Sequence, residues 1–273
     1  MLPLSWEESE QCGLHPACIL LASGLLVIFI ASCATPSFAQ EAAVRFAAEP
    51  SPPFVKGDDG QPAAGALVEV MQKVCVSAKL SCTFEIIPFR RSLPLAIEGI
   101  EVDGILPGAR TPEREQSFLI SDPIIKTAYS FFVRAQSTWR FHSPADLNGM
   151  TIVAYGPSVT SNAVQEAALH TSATIQIEPN MPRALEKLAG GRYGANAAVL
   201  INRDIGLPLS REQNISGLKL AGDLKSVEYG FALSRKSSHA AQMLRLNSAL
   251  HKLQNTGEIQ AILAKYGLQD ASK

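Results

Sequence analysis

The chain has 273 residues, room for one large domain or two small ones, and 47% of them are hydrophobic against 18% charged. That balance excludes disorder over most of the length. Lys and Arg number 24 and Asp and Glu 25, with no basic stripe or acidic tail, so nucleic acid is excluded as the expected partner.

Residues 1–39 differ from the rest. Residues 17–31 form a nearly continuous apolar run, shorter than the ~20 residues a bilayer span needs but suited to the core of a secretory signal. Ser37-Phe38-Ala39 puts small residues at the positions a signal peptidase reads, which predicts a signal peptide over 1–39 and cleavage before Gln40. The other reading is Ile30-Ala31-Ser32-Cys33, which resembles a lipobox and would leave a lipid on Cys33. A signal usually opens with positive charge, whereas this one carries Glu7, Glu8 and Glu10 and no Lys or Arg precedes Arg45. Two explanations stay open: the true start lies downstream of Met1, or the segment remains as an anchor. Loss of the leader removes those three glutamates and moves the formal charge from -1 to +2.

Cys12, Cys18 and Cys33 fall in the leader, leaving Cys75 and Cys82 in the mature chain. An even pair in an exported protein points to a disulfide, with two reduced core thiols as the alternative. His142, His170, His239 and His251 are scattered, and no spacing of His or Cys fits a metal site.

From Val44 onward, short apolar strands alternate with amphipathic helices. Residues 44–48 read as a strand, ended by Pro50, Pro52 and Pro53. A helix follows from about Gly65, its Leu67, Val70, Met71, Val74 and Ala78 recurring as one buried stripe. Residues 83–87 form a strand, Ser92 caps a short helix with Pro94 in its first turn, Gly99 ends it, and 102–106 is the next strand. A second cycle starts after Phe131, with strands at 151–155, 173–177 and 197–201. One helix runs to His170, and another lies between Pro182 and Gly190-Gly191. Residues 227–233 form a last strand, and helices at 238–256 and 258–266 close the chain, with Gly267 at the end.

Strands alternating with helices predict an α/β fold of mostly parallel sheets covered on both faces. The pattern stops and restarts around 120–150, which predicts two lobes. Ligands in such sheets gather beyond the carboxyl ends of the strands, here residues 50–54, 88–92, 107–114, 155–160 and 201–204.

Those segments, in that order, resemble the periplasmic solute-binding proteins of family 3, which serve polar amino acid uptake. The resemblance spans about residues 44–268. It is most specific at Asp103-Gly104-Ile105-Leu106-Pro107-Gly108-Ala109-Arg110-Thr111-Pro112-Glu113-Arg114, followed by Phe118 and Ser121-Asp122-Pro123. Asp146-Leu147-Asn148-Gly149, Gly191-Arg192-Tyr193 before Asn196-Ala197-Ala198, and the closing 257–267 segment add to it. The resemblance implies a two-lobed type II periplasmic binding protein fold joined by a two-strand hinge. Residues 40–126 and 227–273 would form the first lobe and 127–226 the second, with crossings near 125–129 and 225–229. The Cys75/Cys82 spacing is also similar to a disulfide in some members.

The implied function is capture of a small carboxylate-bearing ligand, an amino acid or a related acid, by a periplasmic monomer that delivers it to an ABC transporter permease. No cofactor is implied. Arg114 leads the site residues, because a guanidinium fits a carboxylate in bidentate fashion; pairing with Glu113 or Glu115 is its other reading. Gly108 and Ala109 precede it on the same strand-loop segment. Ser158 and Val159 start a second-lobe helix whose free N–H groups favour the same anion, with simple capping by Ser158 as the alternative. Phe54 is an apolar wall or a core residue, and Arg91 is a cleft arginine in competition with Arg90.

Two positions depart from the family pattern. Amino acid binders place a hydroxyl where this chain has Ala109, and an acid for the ammonium near Ile201 and Asn202. Glu49 or Glu228 would have to replace that acid, or else the ligand lacks an amino group. Two rival functions share the scaffold: a dehydratase of the cyclohexadienyl or arogenate type, with Glu49 as its acid, and a ligand-sensing module. Neither a Ser-His-Asp arrangement nor a P-loop is found, and no enzymatic activity is expected.

Overall fold

A computed structural model describes residues 42–271. The leader, its cleavage point and Cys33 lie outside the described residues.

The first set of elements is β1 (Val44–Ala48), α1 (Ala66–Ser77), β2 (Cys82–Ile86), α2 (Phe89–Glu98), β3 (Gly104–Ala109), α3 (Pro112–Ser117) and β4 (Phe118–Ile120). The long β5 (Ile125–Arg134) leads to β6 (Thr151–Tyr155), α4 (Val159–Ala168), β7 (Thr174–Glu178), α5 (Met181–Ala189), β8 (Ala197–Asn202) and α6 (Arg203–Glu212). The longer β9 (Leu218–Ser234) returns to the first set, and α7 (Met243–Asn255) and α8 (Glu258–Lys265) complete it.

β1 pairs in parallel with β2 and β3, and β6 in parallel with β7 and β8. These two parallel halves are joined by β5 and β9, which run antiparallel from Ile125 opposite Tyr229 to Arg134 opposite Leu218. β3 flanks β9 as far as Tyr229, and β8 flanks β5 from Tyr129 onward. Between those limits Lys126, Thr127 and Ala128, opposite Glu228, Val227 and Ser226, have no third strand beside them. The sheet is thinnest there, and the register slips just beyond, between Tyr129 and Ser130. A bend concentrated at this point disturbs the fewest hydrogen bonds.

The first lobe is a sheet between two helical layers. α1, α7 and α8 pack on one another over one face, above Phe46, which stacks on Phe84 at 5.4 Å and meets Phe231 edge-on at 6.1 Å. α2 covers the other face, setting Ala96 among Ala47, Ile105, Phe118 and Ala232. In the second lobe Phe131 packs edge-on to Trp139 at 5.3 Å and lies 4.7 Å from Phe141. Each such buried aromatic stabilises by about 1.5–3 kcal/mol relative to exposure. Leu67, Val70, Met71 and Val74 of the α1 stripe are fully buried. Gly65 at its N-cap has φ 109, and a Cβ there would sit 2.7 Å from the Phe54 carbonyl oxygen, so glycine is required. The Cys75–Cys82 disulfide ties the end of α1 to the start of β2.

Several elements differ from the sequence expectation. The α2 helix is capped by Pro88, so Ser92 lies inside it with its hydroxyl on the Phe89 carbonyl at 3.3 Å, and Pro94 is beyond the first turn. β3 runs to Ala109 because Pro107 falls in a register irregularity between Ile105 and Gly108, where its missing N–H is tolerated. α6 was hidden by Gly206 and Pro208, both inside it. β9 starts at Leu218, not near Val227; its first half carries Lys219, Asp223 and Lys225, and pairing with β5 overrides that weak apolar signal.

Candidate functional site

Beyond the carboxyl ends of β1, β3, β6 and β8 lies a cavity of ≈ 80 Å³ between the lobes. The first lobe contributes Glu49, Ser51, Phe89, Pro107, Ala109 and Arg114, and the second Tyr155, Ser158, Val159, Thr160, Met181, Ile201, Asn202 and Ile205. Tyr129 and Tyr229, from the two hinge strands, complete the lining. A wider groove of ≈ 760 Å³ runs along the hinge between Lys126, Asp223, Lys225 and Gln260. Its Asp223 is already neutralised by Arg203 at 3.1 Å and both are exposed, so the smaller, buried cavity holds the stronger chemistry.

Arg114 is set by the turn that precedes it. Thr111 caps α3, its Oγ1 accepting the Arg114 N–H at 3.3 Å, with Pro112 in the first turn. The half-buried guanidinium lies 4.8 Å from the centroid of the Phe89 ring, and makes no hydrogen bond or ion pair among the described residues. Neither neighbouring glutamate takes it: Glu115 holds Arg110 at 2.5 Å, and the exposed Glu113 is occupied by its own backbone N–H and by Thr111. Burial draws the Arg114 pKa down, against the pull of Tyr129, Glu49 and Tyr229. Arginine nonetheless stays charged. A positive fork is thus held in a cleft with its donors free.

Glu49 follows β1 and accepts a hydrogen bond from the Tyr155 hydroxyl. Burial pushes its carboxyl up from the usual value, and the Tyr155 bond and the Arg114 charge offset this only in part. The Tyr155 hydroxyl is itself raised by burial and by Glu49.

In the second lobe, Ser158 caps α4: its Oγ accepts the Ser161 N–H at 3.3 Å, and the Ser161 Oγ accepts the Ser158 N–H at 2.9 Å. Asn162 N–H goes to the Ser158 carbonyl, so the amides of Val159 and Thr160 have no acceptor among the described residues. Asn202 caps α6, its Oδ1 accepting the Asp204 N–H at 2.9 Å and the Thr127 hydroxyl at 3.1 Å. Its Nδ2 is buried beside the Tyr229 hydroxyl. At the hinge, the Tyr229 hydroxyl donates to that of Tyr129 at 3.3 Å.

Of the residues singled out in the sequence, Arg114, Ala109, Glu49, Ser158, Val159 and Asn202 meet in this lining. Three do not. Gly108 is packed against β9, where a Cβ would lie 2.8 Å from the Phe231 carbonyl carbon. Phe54 is fully buried behind the cavity, edge-on to Tyr229 at 5.7 Å. Arg91 lies outside, its exposed guanidinium paired at two points with Asp59, both at 3.0 Å. Neither Asp204 nor Glu228 reaches the lining. Sequence reasoning missed Tyr129, Tyr229, Met181 and Ile205 as lining residues, while Phe89 lies in the 88–92 segment it placed at the cleft. The usable signal was a tyrosine in each crossing segment, where a hinge strand would pass under the cleft.

The family model of the bacterial extracellular solute-binding proteins, family 3, matches residues 44–269. The chain belongs to this family. Among solved structures, this solute-binding protein is similar to a histidine kinase sensor domain with similarity to periplasmic binding proteins, at 20% identity and TM-score 0.72, covering 85% of this chain and 99% of that one. It is also similar to the arginine-, lysine-, histidine-binding protein ArtJ of Geobacillus stearothermophilus, at 22% identity and TM-score 0.68, covering 82% and 95%. A third is the amino acid ABC transporter substrate-binding protein AbpA of Streptococcus pneumoniae, at 17% identity and TM-score 0.67, covering 82% and 94%. No curated protein sequence matches. The two lobes and their paired hinge strands are the fold of the periplasmic binding proteins. No described helix is long and apolar enough to cross a membrane.

Proposed function

We propose that this solute-binding protein works in the periplasm, closing its lobes about β5 and β9 on a small ligand that carries a carboxylate, and hands it to an ABC importer. One observation carries this reading: the guanidinium of Arg114 is held in the interlobe cavity with no protein anion bound to it. A half-buried cation that makes no hydrogen bond or ion pair is incompletely satisfied, and a ligand carboxylate would supply two parallel hydrogen bonds. The N–H groups of Val159 and Thr160 would approach the same anion from the second lobe. Contacts from both sides exist only in the closed form, so the ligand shifts the population toward it. ArtJ and AbpA, with the same fold, are named for amino acid binding and transport, which supports the importer role. Glu49 is the one carboxylate in the lining, and we assign the cavity binding rather than catalysis.

A thermal-shift screen of amino acids and small organic acids tests the reading. At a hundredfold excess over its dissociation constant, a true ligand stabilises by about 2.7 kcal/mol. If no carboxylate shifts the melting temperature, the reading fails, and a new product in the same wells would favour the dehydratase.

The likeness to a histidine kinase sensor domain favours a second reading, a sensing module with the same clamp. Uptake of labelled ligand separates the two. It drops in cells lacking the protein if the clamp serves an importer, and is unchanged if it only signals.

A further inference from the structure

The interlobe cavity is small. At ≈ 80 Å³ it is several times below the ~300–1,000 Å³ of sites that take drug-sized ligands. A buried water needs roughly 10–15 Å³, so ≈ 80 Å³ has room for about five to eight non-hydrogen atoms. Once the carboxyl group is counted, only a short body remains.

The polar groups of the lining are largely committed to one another. Ser51 donates to the Glu49 carbonyl at 3.0 Å, Ser158 to the Tyr155 carbonyl at 2.6 Å, and Tyr155 to the Glu49 carboxylate. The Tyr129 hydroxyl is engaged by those of Tyr229 and Thr160. The Asn202 side chain is taken up by Asp204, Thr127 and the Tyr229 hydroxyl. What stays free is the Arg114 guanidinium and the amides of Val159 and Thr160, all donors suited to a single carboxylate.

The remaining walls are apolar. Ile201 and Ile205 are buried, and Phe89, Val159 and Met181 are half-buried. A second carboxylate on the ligand would find no second cation in the lining, where Arg114 is alone. A distal ammonium or guanidinium would share the same small space with Arg114, and the one carboxylate, Glu49, already serves Tyr155 and acts on Arg114. Either charge would be buried without a partner of its own, which is costly. Met181 opens α5 and Ile205 lies in the first turn of α6, so both close the cavity from the second lobe, away from Arg114 on the first.

We infer that the clamp selects a short monocarboxylic acid whose body is apolar and uncharged, and that Met181 and Ile205 set the length it accepts. This inference rests on the carboxylate-clamp reading above.

Calorimetry tests it on pairs of equal shape, isovalerate with malonate and valine with threonine, which differ by apolar against polar atoms at the end of the body. In whichever series binds, the apolar member should bind about tenfold or more tightly, the cost of one buried polar group left unmet. Octanoate and norleucine should bind about fivefold or more weakly than isovalerate and valine, the cost of overpacking. Met181→Ala should remove most of that gap, and the milder Ile205→Val should narrow it. Equal or tighter binding of malonate, threonine, glutamate or arginine, lost in Arg114→Ala, overturns the inference and leaves the clamp standing. A gap unchanged in both enlarged variants overturns the part given to Met181 and Ile205. If no acid binds, or if binding survives Arg114→Ala, the clamp itself is wrong and the inference falls with it.

Discussion

The hydroxyl of Tyr155, the last residue of β6, donates to the carboxylate of Glu49, the residue after β1, and so joins the two lobes by a side-chain hydrogen bond across the cleft. A hydrogen bond to an ionised group is worth roughly 1.5–3 kcal/mol, enough to favour a closed form without ligand. Tyr155→Phe keeps the ring and removes the bond. The unliganded protein should then expand in small-angle scattering, and ligand affinity should drop by roughly tenfold. An unchanged radius of gyration would show that the bond does not hold the lobes.

Glu49 also gives the cleft a pH dependence. Its folded pKa is raised above 4.5 by burial, against the lowering effects of Tyr155 and Arg114. Above that raised value the ionised carboxylate competes with an incoming anion for Arg114. As pH falls through it, Glu49 takes up a proton and the competition ends, so affinity for a carboxylate should rise until the ligand itself protonates. The tyrosines around it, Tyr129, Tyr155 and Tyr229, are all raised above 10.0 and stay neutral across this range. Titration calorimetry between pH 4 and 8 should show the rise, and Glu49→Gln should flatten it.

Asp103 supports the first lobe under neutral conditions. It is buried, accepting from the Arg45 backbone N–H at 2.8 Å and the Ser237 hydroxyl at 2.8 Å, with His239 Nδ1 at 3.3 Å. Burial alone would raise its pKa, but the bonds from Arg45, Ser237 and His239 outweigh this and leave it below 3.8. Because the folded value is depressed, this stabilisation is complete above the unfolded value and disappears as pH falls through the folded one. Urea unfolding of Asp103→Asn should show a deficit of about 1–3 kcal/mol at pH 7 that shrinks below pH 4. A deficit that stays constant with pH would rule out the charge as its source.

The Cys75–Cys82 disulfide closes a short loop between α1 and β2. Loop-closure entropy for that length gives about 2.5 kcal/mol. Replacing both cysteines by serine should lower the melting temperature by roughly 5–10 °C for a chain of this size, with the ligand affinity unchanged because neither cysteine lines the cavity. A loss of affinity would mean that the disulfide reaches the site.

Much of the fold was legible because its signals are local. The α1 stripe and the strands at 44–48 and 151–155 follow from periodicity, and Arg114 was singled out by the 103–114 run that resembles the family. What escaped depends on contacts between distant segments. The first half of β9 is polar and becomes a strand only by pairing with β5. Arg91 and Arg114 look alike as arginines near helix starts, and only the folded chain sets Asp59 beside Arg91 and leaves Arg114 free. Asn202 could be read as the absence of an acid, but its role as the cap of α6 appears only once its oxygen is seen to accept from Asp204 and Thr127.

Calorimetric titration of Arg114→Ala with the best ligand from the screen tests the central claim most directly. Removing one partner of a buried charge pair should weaken binding by roughly 30-fold or more. The melting temperature of the unliganded variant should change little, since the guanidinium makes no hydrogen bond or ion pair among the described residues and only the charge of Glu49 acts on it. Arg114→Lys should recover little, for want of the two-point geometry. Binding by Arg114→Ala within about threefold of the unaltered protein would contradict the account.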